Sequence, residues 1–242
     1  MSSILLTGAG SSSSGSGGAG GPATPITILG SKLVAWFDSN ALVYSDAGST
    51  LASPTQLGYR WAAQNDPAKY FEQTTSGKRM TLTAGANGKR HMDTNGATIS
   101  MGPSADFIPS HPYTIALLMK RGGGRAMSGV ANNWLTGNYL TNNHAFFNGG
   151  FVANAGAPSG WFRSLADCNG TNSHLYENNA DVTTNGTAGT DLPGSVSIGD
   201  FGYSRGEDFS AGSIAQIVIC NDTLTSGERS DLDAFFVAQT PT

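Results

Sequence analysis

Tyr113-Thr114-Ile115-Ala116-Leu117-Leu118-Met119, followed closely by Arg121-Gly122-Gly123-Gly124-Arg125, is the passage from which the fold is read. Seven mostly apolar, β-rich residues that end at a glycine-rich turn suit a strand. The glycines allow a left-handed backbone, so this segment marks a hairpin rather than a phosphate cradle. Working outward, further short strands are expected at Leu33-Val34-Ala35-Trp36-Phe37, Ala145-Phe146-Phe147, residues 160–165, 173–177 and 195–199, and Ser213 to Cys220. Short strands separated by turns at close intervals indicate a sandwich or jelly roll. Composition agrees: Gly accounts for 33 of 242 residues, roughly twice its usual share, which argues against a helical bundle.

Two segments depart from this pattern. Near the end, Thr225-Ser226-Gly227-Glu228 forms a capping box ahead of Leu232, Phe235 and Phe236, predicting a short helix with those three residues on one face. At the start, residues 8–25 are almost entirely Gly, Ser, Ala, Thr and Pro, a composition unable to bury a core, and they read as a linker. Gly15-x-Gly17-x-x-Gly20 within it matches a dinucleotide fingerprint, but no strand precedes it, so it is read as a chance match. The apolar Ile4-Leu5-Leu6 ahead of the linker suits an assembly hook. Residues 1–29 are therefore expected to form a docking arm and linker, and residues 30–242 an all-β, two-sheet antiparallel jelly-roll sandwich with a short C-terminal helix.

The net charge of −4 and the absence of any Lys/Arg run argue against a nucleic-acid partner. Apolar runs fall well short of the ~20 residues that span a bilayer, and no cationic segment precedes a long apolar one, so no membrane span and no export signal are expected. Cys168 and Cys220 lack metal-site spacing and read as reduced and buried.

Leu33-Val34-Ala35-Trp36-Phe37-Asp38 resembles the opening of concanavalin A-like (laminin G-like) jelly-roll domains, in particular those of phage virion and tail proteins. Leu175-Tyr176-Glu177-Asn178-Asn179 is similar to the family's Leu-Tyr-x-Asn-Gly hairpin, with Asn179 where Gly is usual. Residues 196–199 and 209–219 resemble the closing Ile-Gly and Phe-x-Gly-x-Ile-Ala-Glu hairpin, and residues 224–229 the terminal helix. With the N-terminal arm, this resemblance implies a virion structural protein: a capsid decoration, head fibre or tail-associated component displayed on the virion surface. The arm would then contact other virion proteins, and the outer domain would bind host or environmental glycans, in a homo-oligomer. A free-standing carbohydrate-binding module is the alternative, and a glycoside hydrolase with an unrecognised carboxylate pair the third reading.

Hydrolases of this fold carry alternating carboxylates on one strand, and no Glu-x-Asp-x-x-Glu occurs here. Neither does a Gly-x-Ser-x-Gly elbow, and His91, His111, His144 and His174 are widely spaced, so no enzyme activity is expected. No cofactor is indicated; the Asp181, Asp191 and Asp200 loops offer oxygens for Ca2+ but no recognisable calcium loop. Saccharides are held by aromatic faces flanked by amides and carboxylates. Two segments concentrate such groups: Asn132, Asn133, Trp134, Tyr139, Asn142, Asn143 and His144, and Asp200, Tyr203, Arg205, Glu207 and Asp208. The competing reading makes Trp134 a core residue and the asparagines turn formers.

Overall fold

The computed structural model describes residues 22–94, 98–108, 110–200 and 209–242. Ile4, Leu5, Leu6, Tyr203, Arg205, Glu207 and Asp208 lie outside the described residues. The first half of the chain forms α1 (Pro25–Leu29), β1 (Leu33–Asp38), β2 (Val43–Tyr44), β3 (Arg60–Ala62), β4 (Tyr70–Glu72), β5 (Thr81–Ala84), β6 (Arg90–Asp93), β7 (Gly102–Pro103) and β8 (Tyr113–Lys120). Next come β9 (Met127–Gly129), β10 (Trp134–Tyr139), β11 (Asn143–Asn148), β12 (Phe151–Gly156), β13 (Trp161–Cys168), β14 (His174–Glu177), β15 (Ala180–Asp181), β16 (Val196–Ile198), β17 (Ser213–Cys220) and α2 (Ser226–Gln239).

Among the described residues, all strand pairs are antiparallel. An eight-stranded sheet runs β15-β14-β13-β8-β17-β6-β5 with β1 also paired to β17; a five-stranded sheet runs β12-β11-β10-β9-β16; a four-stranded sheet runs β2-β3-β4-β7. The all-β sandwich and terminal helix expected from the sequence are what the structure shows.

Strand β8 lies at the centre of the eight-stranded sheet, between β13 and β17, and is buried on both faces. Ile115, Leu117 and Met119 enter the main core with Trp134, Phe146 and Phe162, while Ala116 and Leu118 face the opposite side beneath Leu232, Phe235 and Phe236 of α2. A strand covered on both faces has no polar alternation, which is why residues 113–119 read as one apolar run. Helix α2 starts at the expected box: Glu228 N donates to Thr225 Oγ1 at 3.2 Å, and Thr225 N to Glu228 Oε2 at 2.7 Å. Asn178 and Asn179 both take positive φ (50° and 66°) in the two-residue β14–β15 turn, so Asn179 serves where Gly is usual.

Two details differ from the sequence reading. Helix α1, placed there within the arm, packs on α2 with Leu29 only 3 % exposed, so the folded body begins before residue 30. Residues 121–125 are not the hairpin expected, because β8 and β9 lie in different sheets; within this connection Gly124 has φ +70°, and Gly122 is required by contact, since a Cβ there would lie 2.4 Å from the Gly212 nitrogen.

Candidate functional site

Consecutive residues of a strand face opposite sides, so Phe146-Phe147 on β11 must send one ring inward and one outward. Phe146 enters the core; Phe147 faces out beside Phe151 of β12, with ring centroids 5.0 Å apart, and Phe151 lies 5.4 Å from the ring of Tyr139 on β10. Phe151 is 36 % exposed, and Tyr139 and Phe147 are half-buried. These three rings form an aromatic surface on the outer face of the five-stranded sheet.

Amides border it. Asn143, opposite Tyr139 in the β10–β11 register, donates from Nδ2 to Asn154 Oδ1 at 2.9 Å. The remaining Asn143 oxygen and Asn154 amide group have no protein partner among the described residues, and they present one acceptor and one donor to a ligand. Behind Tyr139, the Arg125 guanidinium stands 5.7 Å from the ring centroid and donates from Nη1 to Asn133 Oδ1 at 2.9 Å. A planar, doubly engaged guanidinium fixes the position of the ring it lies beside.

Of the residues expected from sequence, Tyr139 and Asn143 thus belong to this surface, and Asn133 supports it through Arg125. Asn132 is exposed and ties down the loop ahead of β16, with Nδ2 on Leu192 O at 2.7 Å; Asn142 takes the positive φ (69°) of the β10–β11 turn. Trp134 requires correction. It is fully buried, packs against Tyr113 and Phe146, and donates from Nε1 to the Tyr113 hydroxyl at 2.7 Å, so no sugar reaches its face. Phe147, Phe151 and Asn154 were missed, although the Phe146-Phe147 doublet carried the signal for an outward ring.

His144, grouped with this set in the sequence reading, points the other way. Its Nδ1 lies 2.9 Å from Glu177 Oε2 and its Nε2 2.7 Å from Ser164 Oγ, with Phe162 against the ring edge. Ser164 and Glu177 are direct partners in the β13–β14 register. The distances match the Ser–His–carboxylate arrangement of acyl-transfer enzymes, in which the carboxylate orients the ring and the second nitrogen accepts the serine proton. The widely spaced histidine, serine and glutamate meet, and His144 is a buried histidine with both ring nitrogens partnered. Ser164 and His144 are each only 1 % exposed, so the three act as a hydrogen-bonded tie from β11 across the sandwich to β13 and β14.

Burial also acts on Asp167, which is 3 % exposed. Desolvation pushes its carboxyl up to about 6, against the lowering effects of the Thr114 hydroxyl and the Arg229 guanidinium. The same cause pushes the free Cys220 thiol up to about 12. Among the described residues, no group of three or more His, Cys, Asp or Glu could hold a metal ion, and no helix is long and apolar enough to cross a membrane.

No family model and no curated protein matches the chain. Solved structures do. Trypanosoma rangeli sialidase in complex with 2,3-difluorosialic acid as a covalent intermediate aligns with a TM-score of 0.56 at 10 % identity, covering 88 % of this chain and 34 % of the sialidase. The same sialidase in complex with sialic acid gives 0.54 at 12 % identity, covering 88 % and 35 %. The ligand binding domain of botulinum neurotoxin serotype D in complex with N-acetylneuraminic acid gives 0.50 at 9 %, covering 86 % and 51 %. The chain thus spans about a third of the sialidase's length and about half of the toxin domain's, and at this identity the likeness is one of fold. It corrects the expectation that the chain is not an enzyme: the solved structures that match this fold, over about a third of their own length, include sialidases, which are enzymes.

Proposed function

We propose that this protein is a carbohydrate-binding β-sandwich that holds saccharides on the outer face of its five-stranded sheet. The observation that carries this reading is the outward-facing cluster of half-buried Tyr139 and Phe147 with exposed Phe151, beside the Asn143–Asn154 pair. Pyranose rings present a face of C–H groups that packs on an aromatic ring, and their hydroxyls each donate and accept, as a half-engaged amide pair requires. The shared fold of structures solved with sialic acid and N-acetylneuraminic acid supports the same ligand class. The proposal extends to presentation: the residues ahead of α1 would tether the domain to a larger assembly such as a virion.

Titration of the full chain against a glycan array, followed by calorimetry on the best hits, tests the reading. Phe151→Ala and Tyr139→Ala are each expected to weaken binding about twofold to tenfold, the worth of one aromatic contact of ~0.5–1.5 kcal/mol, with the near-UV spectrum retained. Equal binding by the wild type and both variants would remove the aromatic surface from the mechanism.

A further inference from the structure

A second site lies on the opposite side of the molecule, where α2 crosses β1. Asp231, Ala234, Phe235, Ala238 and Gln239 recur at helical i, i+3, i+4, i+7 and i+8 spacing and line one wall of a groove of about 370 Å³; Trp36 and Asp38 line the other, and residues 22–24 border the groove. Because Ala234 and Ala238 carry only methyl groups, they leave the space beside Trp36 and Asp38 unfilled along this stripe. The size falls within the range of small-ligand sites.

The floor is preorganised. Gln216, fully buried on β17, accepts from Trp36 Nε1 at 2.8 Å and donates from Nε2 to Asp38 Oδ1 at 2.6 Å. Asn40 adds two more donors to that same oxygen, each at 2.8 Å. One glutamine thus fixes both the indole and the carboxylate, and Asp38 Oδ2 has no partner among the described residues. Trp36 also packs edge-on against Phe235, with centroids 5.7 Å apart, which closes the apolar end.

Charge selects the occupant. The described lining holds two carboxylates, Asp38 and Asp231, and no Lys, Arg or His. The basic group at the rim is Lys89, whose Nζ donates to Gln239 Oε1 at 2.9 Å. Two carboxylates face one ammonium already engaged with an amide, so an anionic ligand is repelled and a cation is favoured. We propose that this groove binds a primary alkylammonium, its apolar stem lying along Ala234, Ala238, Trp36 and Phe235 and its ammonium group between Asp38 and Asp231. This site does not depend on the saccharide reading.

Calorimetric or NMR titration of the full chain with hexylammonium, hexan-1-ol and hexanoate tests it. Hexylammonium is expected to bind more tightly than the isosteric alcohol by about twofold to fivefold per carboxylate, the range of partly exposed ion pairs. Hexanoate should bind weakest, and 0.5 M NaCl should shrink the preference. Asp231→Asn should reduce the preference without loss of fold, and Ala234→Leu should fill the groove and abolish binding of all three probes. A blocked Ala-Lys-Ala peptide separates the two sources of this chemistry: tighter binding of hexylammonium assigns a free amine, tighter binding of the peptide a lysine side chain. Equal affinity for ammonium and alcohol, or unchanged binding by the Ala234→Leu protein, would overturn the proposal.

Discussion

Trp134 and Phe151 show how much a single residue's surroundings decide. Both are large aromatics in the same sheet, yet Trp134 is fully buried with its indole N–H satisfied by Tyr113, whereas Phe151 is more than a third exposed. Trp134→Ala is therefore expected to cost about 3–5 kcal/mol of stability through the cavity it leaves, measured by urea unfolding, while Phe151→Ala leaves the unfolding midpoint nearly unchanged. Asp167 gives a pH test. Its folded carboxyl, at about 6, lies above the 3.8 usual for Asp, so the unfolded chain releases this proton first as pH rises. Stability from this group is present below about pH 4 and is lost as pH climbs through about 6, a change of about 3 kcal/mol. Asp167→Asn should flatten the unfolding free energy between pH 4 and 7; an unchanged slope would locate the pH dependence elsewhere.

Among the elements, α2 is the most completely specified by local chemistry. Its box at Thr225 and Glu228 is reinforced by Lys32, whose Nζ donates to Glu228 Oε2 at 2.9 Å; burial opposes ionisation of Glu228, but Lys32 and Thr225 outweigh it and hold that carboxyl below its ordinary range. Thr225→Ala should lower stability by about 1 kcal/mol, read as a shift in the midpoint of urea unfolding. The larger contribution is the face below, where Leu232, Phe235 and Phe236 cover Ala116, Leu118 and Val218 of the eight-stranded sheet. Strand β11 shows the reverse situation. Its existence follows from the Ala145-Phe146-Phe147 run, but which phenylalanine faces solvent depends on register against β10 and β12, set by pairing across separate hairpins.

For the whole molecule, the folded body includes α1, with Leu29 buried against α2. Removal of residues 1–21, which leaves α1 in place, is expected to abolish attachment to any assembly that those residues serve. Co-sedimentation of full and truncated chains with that assembly measures it, and equal incorporation would assign attachment to the β-sandwich itself.

The sequence by itself determined the fold class and the position of the terminal helix, because each follows from local rules: glycine conformations, capping pairs and short apolar runs; the turn at Asn179 followed from the resemblance of residues 175–179 to a Leu-Tyr-x-Asn-Gly hairpin. Two of the five residues of the aromatic surface, Tyr139 and Asn143, were legible from their residue types. Tertiary structure alone decided that Trp134 is core, that Phe147 and Phe151 meet Tyr139 outside, and that His144 reaches Ser164 and Glu177. It alone joined Asp38 to Asp231 in one groove, 193 positions apart along the chain. The physical reason is common to all of these. A side chain's exposure and partners depend on which strands pair and which faces are covered, and those contacts form between segments whose separation along the chain carries no local signal.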